Sequence, residues 1–311
     1  MIRHLIVDVT LVVAFLTLLG LLTVVGVDRL RSFPAMASEQ LRLLLPYLVL
    51  LGLVLVVNDF LRNLGPSFSW IVGWRITEDI VALEGGFVAT VQGYSHPWLT
   101  HYFSVTYIYG YIFLLVFPIL AYLLYTDDRR PAREAVIAYS LNYGIGVLCY
   151  ILFIAYGPRN VPEVHVDGLL YTYWPESQLI TRELNANVNV FPSLHASLSF
   201  TIAFLAYRWR EVYRWWLPIS ALLALSVSLS TMYLGIHWAT DVVAGLVLAA
   251  VSLAGAIWLT SPDRHDGPVG AIGRHLRRLV DVPVLAASRR VRALYRSFRT
   301  DKSSSVPPET E

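Results

Sequence analysis

Long apolar runs recur along most of this chain, and short polar stretches separate them. Several runs of roughly 17 to 24 residues are long enough to cross the ~30 Å hydrocarbon core of a bilayer as an α-helix. The predicted spans are 5–27, 43–61, 102–125, 134–156, 192–207, 215–234 and 238–260. The pattern therefore predicts an all-α fold, a polytopic transmembrane helical bundle of about seven spans.

Two stretches depart from this pattern. Residues 62–101 are more polar, with "EGG" at 84–86, and are predicted to form interfacial or amphipathic helices. From residue 261 onward a basic amphipathic segment leads into a disordered tail, "SSSVPPETE". The predicted divisions are N-terminal transmembrane helices (1–61), an extracytoplasmic interfacial segment (62–101), a transmembrane core (102–260) and a cytoplasmic basic segment with its tail (261–311).

Composition supports a membrane protein and excludes several kinds of chemistry. Charged residues make up 15% of the 311 residues, against about 25% in typical soluble domains, and the mean hydropathy is +0.56. Lys302 is the one lysine, which excludes a retinal Schiff base on a buried lysine. Cys149 is the one cysteine, so neither an internal disulfide nor a thiolate metal cluster can form. We predict no metal, no cofactor and no nucleic-acid partner.

Arginines are distributed unequally between the two sides of the predicted bundle. One side carries the larger set: Arg29, Arg31, Arg42, Arg129, Arg130, Arg133, Arg208, Arg210, Arg214 and the basic tail. The other side carries Arg3, Arg62, Arg75, Arg159 and Arg182. The positive-inside rule then predicts an extracytoplasmic N-terminus and a cytoplasmic C-terminus. The loop 157–191 and the junction 234–237 face outward in this arrangement, which puts His195 and His237 at the same membrane surface.

The segment "YLGIHWATD" places His237 and Asp241 four residues apart. On a helix beginning near residue 236, the two side chains would share one face. The carboxylate could then accept the Nδ1–H of the imidazole, fix its tautomer and make Nε2 more nucleophilic. The alternative is a surface histidine beside a capping aspartate at the membrane interface.

The segment "FPSLHAS", residues 191–197, precedes another apolar run. Pro192 suits the first turn of a helix and Ser193 can cap it. The free N–H groups and the dipole at such a helix end attract an anion, and His195 lies in the same turn. The alternative is a simple cap followed by an interfacial histidine.

The two histidines are more informative together. At the outer ends of neighbouring helices they suit a two-step phosphoryl transfer, in which one forms a phosphohistidine and the other protonates the departing oxygen. Such chemistry needs cations around the phosphate oxygens. Arg159, in "YGPRN" at the outer end of the fourth span, can bind two of these oxygens at once. Its alternative role is a snorkelling interfacial arginine.

Three motifs carry a family resemblance over roughly residues 100–260. "GPR" at 157–159, "PSLHAS" at 192–197 and "STMYLGIHWATD" at 230–241 resemble the motifs of the type 2 phosphatidic acid phosphatase superfamily. The nearest likeness is its inositol phosphorylceramide synthase, or inositolphosphotransferase, branch, whose second motif reads Pro-Ser-Leu-His. The resemblance implies a catalytic core of six helices. It also implies a nucleophilic His237, an orienting Asp241, a general acid and base at His195, and phosphate binding by Arg159, Ser193 and Ser230.

The sequence departs from the phosphatase motifs in three places. No lysine lies upstream of Arg159, where Phe153 and its neighbours stand, and Thr231 replaces the arginine that usually follows the serine of the third motif. Leu194 stands where the phosphatases usually carry glycine. These departures favour the transferase branch and leave open which cations complete the phosphate site. The unassigned candidates are Arg62, Arg75 and Arg182.

The expected function is therefore phosphoryl transfer by an integral membrane enzyme with an extracytoplasmic site. The substrate would be a phospholipid or isoprenoid-type lipid phosphate in the outer leaflet, with an alcohol or polyol as acceptor. The first alternative is a lipid phosphate phosphatase that uses water as the acceptor at the same site. The second is a non-catalytic lipid-binding protein or transporter. No internal repeat is visible and the histidines lie away from the midplane, which disfavours transport.

Overall fold

The structure is a computed structural model. It describes residues 2–125, 127–177 and 190–261, without the side chains of residues 2, 32–38, 62–68 and 70. The predicted basic segment and tail beyond residue 261 lie outside the described residues. Residues up to Thr260 form one compact unit.

Helices account for nearly all of the regular structure in these ranges. In chain order they are α1 (Ile2–Gly20), α2 (Val27–Val72), α3 (Thr77–Glu84), α4 (Phe87–Gln92), α5 (Pro97–Val105), α6 (Tyr111–Leu123), α7 (Arg130–Leu152), α8 (Leu169–Tyr173), α9 (Leu194–Arg208), α10 (Trp216–Tyr233) and α11 (Ala239–Thr260). Two π-helical turns, Leu21–Val25 and Thr106–Gly110, follow α1 and α5. Short 3₁₀ turns occupy Pro158–Asn160, Pro162–Val164 and Pro175–Ser177. Two short strands, β1 (Trp74–Arg75) and β2 (Phe153–Ile154), pair in parallel.

Six helical stretches of the described chain are long and apolar enough to cross a membrane. They are Arg3–Val25, Glu39–Leu61, Pro97–Leu123, Arg130–Leu152, Trp216–Tyr233 and Ala239–Thr260. The predicted fold class, an all-α polytopic transmembrane bundle, is confirmed, and the chain is an integral membrane protein. The predicted span 192–207 corresponds to α9, which has 15 residues. At 1.5 Å per residue it is only about 22 Å long, so it is shorter than the ~30 Å core.

The predicted interfacial segment begins later than residue 62, because α2 continues without a break to Val72. Gly73 ends this helix in an extended conformation. A Cβ at this position would lie 2.5 Å from the Ser69 carbonyl oxygen, so the chain can leave the helix here because glycine has no side chain. The remainder of the segment forms β1 and the short helices α3 and α4, as its polar composition suggests.

Helix α9 lies at the centre of the bundle and packs against α7, α10 and α11. Two of its buried hydroxyl groups, those of Ser197 and Thr201, are hydrogen-bonded to α7. The Ser197 hydroxyl donates to Asn142 Oδ1 at 2.8 Å, and Asn142 Nδ2 donates to the Thr201 hydroxyl at 2.8 Å. Because buried polar groups are costly without partners, these bonds fix one rotation of α9 against α7.

A buried carboxylate holds the other end of α9. Glu134 of α7 is 1% exposed. It accepts hydrogen bonds from Arg208 Nε at 2.8 Å and from Trp209 Nε1 at 2.7 Å. This cluster anchors the C-terminal end of α9, so the first turn of α9, which carries His195, lies at the opposite end of a fixed helix.

Candidate active site

The start of α9 is built by a serine cap. Ser193 is the residue before the helix, and its hydroxyl accepts a hydrogen bond from the Ala196 N–H at 3.3 Å. The predicted cap is therefore present, and His195 is the second residue of α9. Pro192 was expected in the first turn but precedes the cap, because Ser193 needs an extended backbone (φ −68°, ψ 109°) to present its hydroxyl to the helix.

The second histidine lies in the connection between α10 and α11. Its Nδ1 is 3.3 Å from Asp241 Oδ2, so the predicted i,i+4 pair is formed. The same oxygen accepts the Trp238 N–H at 2.9 Å. The helix was expected to begin near residue 236 but begins at Ala239. Gly235, at φ +73°, turns the chain here, so His237 precedes the helix instead of lying within it.

His195 and His237 face each other at one end of the bundle. Their ring centroids are 6.2 Å apart. A backbone hydrogen bond from Ser193 N–H to the Asp241 carbonyl, at 3.0 Å, joins the two segments that carry them. The structure thus brings together four of the predicted site residues from two segments of the chain, with His195 and His237 separated by 42 positions.

Arg159 lies beside this pair in the first 3₁₀ turn after β2. Its backbone N–H donates to the Gly235 carbonyl at 3.3 Å, two residues before His237. Its guanidinium packs 4.8 Å from the centre of the Tyr171 ring, and Nη2 donates to the Tyr171 hydroxyl at 3.4 Å. Nη1 is buried and has no hydrogen-bond partner in the described part of the chain. A buried donor of this kind is a natural contact for a phosphate oxygen.

His237 is kept neutral by its surroundings. Burial, and then the positive charge of Arg159, lower the pKa of His237 to about 3, although a hydrogen bond with the Val190 backbone raises it in part. The ring is therefore unprotonated at neutral pH, as a nitrogen nucleophile must be. Asp241 lies on the Nδ1 side of the ring, so Nε2 is the nitrogen that a nucleophilic role would require.

The remaining predicted phosphate ligands do not form a single cluster. Ser230 is fully buried, and its hydroxyl donates to the Val227 carbonyl within α10 at 2.6 Å. Arg75 lies on β1, where it is exposed. The side chain of Arg62 and all of Arg182 lie outside the described residues. Phosphate binding by Ser230 stays a prediction.

The sequence did not point to Glu84, the last residue of α3. Its carboxylate accepts the Ala239 N–H at 3.0 Å and also the Thr240 N–H, so it caps the N-terminus of α11. A carboxylate is favoured at this positive helix end. The polar "EGG" break in the interfacial segment was the one available signal. This signal does not indicate which helix Glu84 caps, because that helix begins 155 positions further along the chain.

Gln92 was also missed, and its hydrogen bonds link α4 to the site. Its Nε2 donates to the Asp167 carbonyl at 2.7 Å and to the Tyr233 carbonyl at 3.0 Å, while its Oε1 accepts the Asp167 N–H at 2.9 Å. The end of α10 and the loop after Arg159 are thereby held to α4. Nothing in the local sequence marks this glutamine.

Two tyrosine rings, Tyr107 and Tyr111, lie against His195 and were not predicted either. Within residues 2–125, 127–177 and 190–261, no group of three or more histidine, cysteine, aspartate or glutamate side chains is arranged to hold a metal ion. The site thus consists of two histidines, a carboxylate and an arginine.

The fold is a membrane bundle, and its candidate site contains two facing histidines, one of them paired with an aspartate. Sequence comparison identifies the family to which this fold and site belong. Residues 82–255, more than half of the chain, match the PAP2 superfamily. The chain belongs to this superfamily, the type 2 phosphatidic acid phosphatases and their relatives. The predicted superfamily is confirmed. The inositol phosphorylceramide synthase branch is not shown.

Three curated proteins are similar to parts of the chain. "Bacitracin transport permease protein BcrC" of Bacillus licheniformis is 31% identical over 44% of this chain and 59% of its own length. "Putative undecaprenyl-diphosphatase YbjG" of Escherichia coli is 24% identical over 53% of this chain and 76% of its own length. "Uncharacterized protein MJ0662" of Methanocaldococcus jannaschii is 24% identical over 47% of this chain and 56% of its own length. The chain thus spans less than two thirds of the first and third of these relatives. No solved structure matches the chain.

Proposed function

We propose that this protein is a membrane phosphatase that hydrolyses a lipid phosphate through a phosphohistidine intermediate. The observation that carries the proposal is the facing pair of His195 and His237, with Asp241 on Nδ1 of His237. Membership of the PAP2 superfamily supports this chemistry. The name of the Escherichia coli relative favours a polyprenyl diphosphate as the lipid.

In the first step, Nε2 of His237 attacks phosphorus as the bond from phosphorus to the leaving oxygen breaks. Protonated His195 gives its proton to that oxygen, so the lipid product leaves as an alcohol or as a monophosphate. Asp241 accepts a hydrogen bond from Nδ1–H of His237, so the proton stays on the ring, and the carboxylate stabilises the positive charge that develops there. Arg159, through its unpartnered Nη1, holds the phosphoryl oxygens.

In the second step, a water takes the place of the leaving group. His195, now neutral, accepts a proton from this water as its oxygen attacks phosphorus and the N–P bond breaks. Inorganic phosphate leaves, His237 is regenerated as the neutral ring, and His195 is again protonated. The ring centroids of the two histidines are 6.2 Å apart, so both rings would be able to contact one phosphoryl group bound at this end of the bundle.

Leu194 bears on the choice between water and an alcohol as acceptor. The difference from glycine at this position was one of the three departures that favoured a transferase. The side chain is 6% exposed and packs with Tyr150 and Leu248. A Cβ on Gly146 would lie 2.5 Å from Leu194 Cδ2, so the leucine fills the space that this glycine leaves. Leu194 is thus accounted for by helix packing, and the phosphatase becomes the better proposal.

The proposed site faces the extracytoplasmic side of the membrane. Support comes from the arginine distribution, since Arg129, Arg130 and Arg208 lie at the end of the bundle opposite the histidines. The lipid head group would therefore be hydrolysed in the outer leaflet, and the C-terminus would lie in the cytoplasm.

The test uses the full chain purified in detergent and supplied with polyprenyl diphosphate, phosphatidic acid, or either lipid with an inositol or ceramide-type acceptor. We expect release of inorganic phosphate that His237→Ala abolishes and that the matched control His101→Ala retains, because His101 is an exposed histidine of α5. A new phosphodiester lipid in place of free phosphate would establish the transferase instead. Binding without turnover by the wild type would indicate a non-catalytic lipid-binding protein.

A further inference from the structure

Two tyrosine rings contact the imidazole of His195. The Tyr107 ring stacks on it with a centroid distance of 4.6 Å and an interplanar angle of 26°. The Tyr111 ring lies at 4.4 Å and 42°. Tyr107 is 2% exposed, so its ring is fixed by its surroundings. His195 therefore has aromatic contacts from the α5–α6 segment, while His237 lies 6.2 Å away.

The backbone explains how both tyrosines reach the same histidine. Tyr107 lies in the π-helical turn Thr106–Gly110, and Tyr111 is the first residue of α6, directly after that turn. Such π-helical turns are rare and occur frequently at functional sites. The turn lies within the membrane-spanning stretch Pro97–Leu123.

The tyrosines are in turn held by α7. The Tyr111 hydroxyl is hydrogen-bonded to Tyr143, and Tyr150 lies close to it. Within the described part of the chain, the titratable and charged groups near His195 or its ring neighbours include groups from four parts of the fold. They are Tyr107 and Tyr111 of the α5–α6 segment, Tyr143 and Tyr150 of α7 next to Tyr111, His237 and Asp241 of the α10–α11 region, and Arg159 next to His237. Of these groups, the Tyr107 and Tyr111 rings contact the His195 ring directly, and the His237 ring lies further away.

We propose that Tyr107 and Tyr111 are positioning residues for His195, an inference that rests on the proposed function. Their rings hold the imidazole toward His237. Their electron-rich faces also favour its protonated form, because a cation is attracted to the face of an aromatic ring. His195 is thereby kept protonated for the first step, in which it must give a proton to the leaving oxygen.

Paired substitutions distinguish the contribution of the aromatic ring from that of the tyrosine hydroxyl group. Tyr107→Phe and Tyr111→Phe keep the aromatic face, whereas Tyr107→Leu and Tyr111→Leu remove it. We expect the leucine variants to lower kcat on a lipid phosphate by about tenfold or more, with little change in KM. The basic limb of the kcat–pH profile should move down by about 0.5 to 1 pH unit, since His195 loses its proton more easily. The phenylalanine variants should keep the wild-type profile.

A second substrate makes the test independent of how much of each variant folds. p-Nitrophenyl phosphate has a good leaving group that needs no proton, so its hydrolysis depends little on protonated His195. The ratio of lipid to nitrophenyl activity, measured in one sample, should therefore fall in the leucine variants. It should be unchanged in Tyr102→Leu, a partly exposed neighbour on α5 that serves as the control.

An equal loss on both substrates, or an unshifted profile in the leucine variants, would overturn the inference. The proposed function would stand after either result, provided that His237→Ala still abolishes the phosphate release seen with the wild type. If the wild type releases no phosphate, or does so without His237, the proposed function itself is wrong, and the two failures are thus distinguishable.

Discussion

The backbone N–H of Ser193 donates a hydrogen bond to the backbone carbonyl of Asp241, with an N···O distance of 3.0 Å. This bond connects the residue that caps α9 to the first turn of α11. Since His195 follows Ser193 by two residues and His237 precedes Asp241 by four, it sets how the two histidines face each other. The close approach of α9 and α11 is therefore a requirement of the site.

Gly245 makes this approach feasible, and its replacement is the first prediction. A Cβ at Gly245 would lie 2.6 Å from the Ser193 carbonyl oxygen and 3.2 Å from the Ser197 nitrogen, both backbone atoms. Gly245→Ala should therefore push the helices apart, destabilise the protein by about 1–3 kcal/mol and lower kcat. Thermal unfolding in detergent and phosphate release measure the two effects. Gly52→Ala in α2 is the control, since nothing lies within 4 Å of a Cβ there; equal behaviour of the two variants would contradict the prediction.

Asp241→Asn tests the role of the carboxylate at His237. The amide oxygen can still accept the Trp238 N–H, but the negative charge next to Nδ1 is lost. By the logic of catalytic triads, kcat should fall by roughly 10³- to 10⁴-fold, while the thermal unfolding midpoint changes little. A variant that retains near wild-type kcat would show that Asp241 serves only as a helix cap.

Glu84→Ala should weaken the start of α11. The substitution leaves the Ala239 and Thr240 N–H groups without their acceptor, which costs about 1 kcal/mol for a helix cap. We also expect lower activity, because His237 and Asp241 flank this helix start. Glu84→Gln, which keeps an oxygen acceptor but no charge, should lie between Ala and wild type in both measurements. Exposed Glu176 provides a control position, and an effect of Glu176→Ala as large as that of Glu84→Ala would argue against a specific cap.

The lowered pKa of His237 predicts a pH dependence of stability. The folded protein holds this ring neutral down to about pH 3, whereas the unfolded chain protonates it near pH 6.5. Between these values the unfolded state binds more protons, so the free energy of unfolding falls as the pH falls from about 6.5 to about 3. His237→Gln, which cannot titrate, should show a shallower fall than wild type in denaturant unfolding across this window. Identical slopes would mean that His237 is not buried in its neutral form.

The sequence predicted the transmembrane class and the principal site residues, for physical reasons that can be named. His237 and Asp241 are four positions apart, and Ser193 lies next to the helix it caps. Their contacts could therefore be predicted from local spacing alone. The start of α11 was misplaced because Gly235 adopts a positive φ that the motif does not reveal. The predicted span 192–207 matches α9 to within two residues at each end, because a run of mostly apolar residues follows the Ser193 cap.

The rest of the site depends on contacts between distant segments. Glu84 caps a helix that begins 155 positions later, and Tyr107 reaches a histidine 88 positions further on. Such contacts follow from how the helices pack, which periodicity does not specify. Leu194 shows a limit of motif comparison, because its difference from the motif suggested a transferase, whereas the side chain packs between α7 and α11.

The central claim is that His237 carries the phosphoryl group during turnover. The most direct measurement is a rapid-quench experiment, in which the reaction of this chain with a lipid diphosphate labelled on its terminal phosphate is stopped early and the labelled peptide is identified by mass analysis. We predict a phosphoryl group on His237 that is labile to acid and stable to base, that is absent from His237→Ala and that persists in His101→Ala. Turnover by the wild type without a labelled histidine, or label that remains in His237→Ala, would contradict the account.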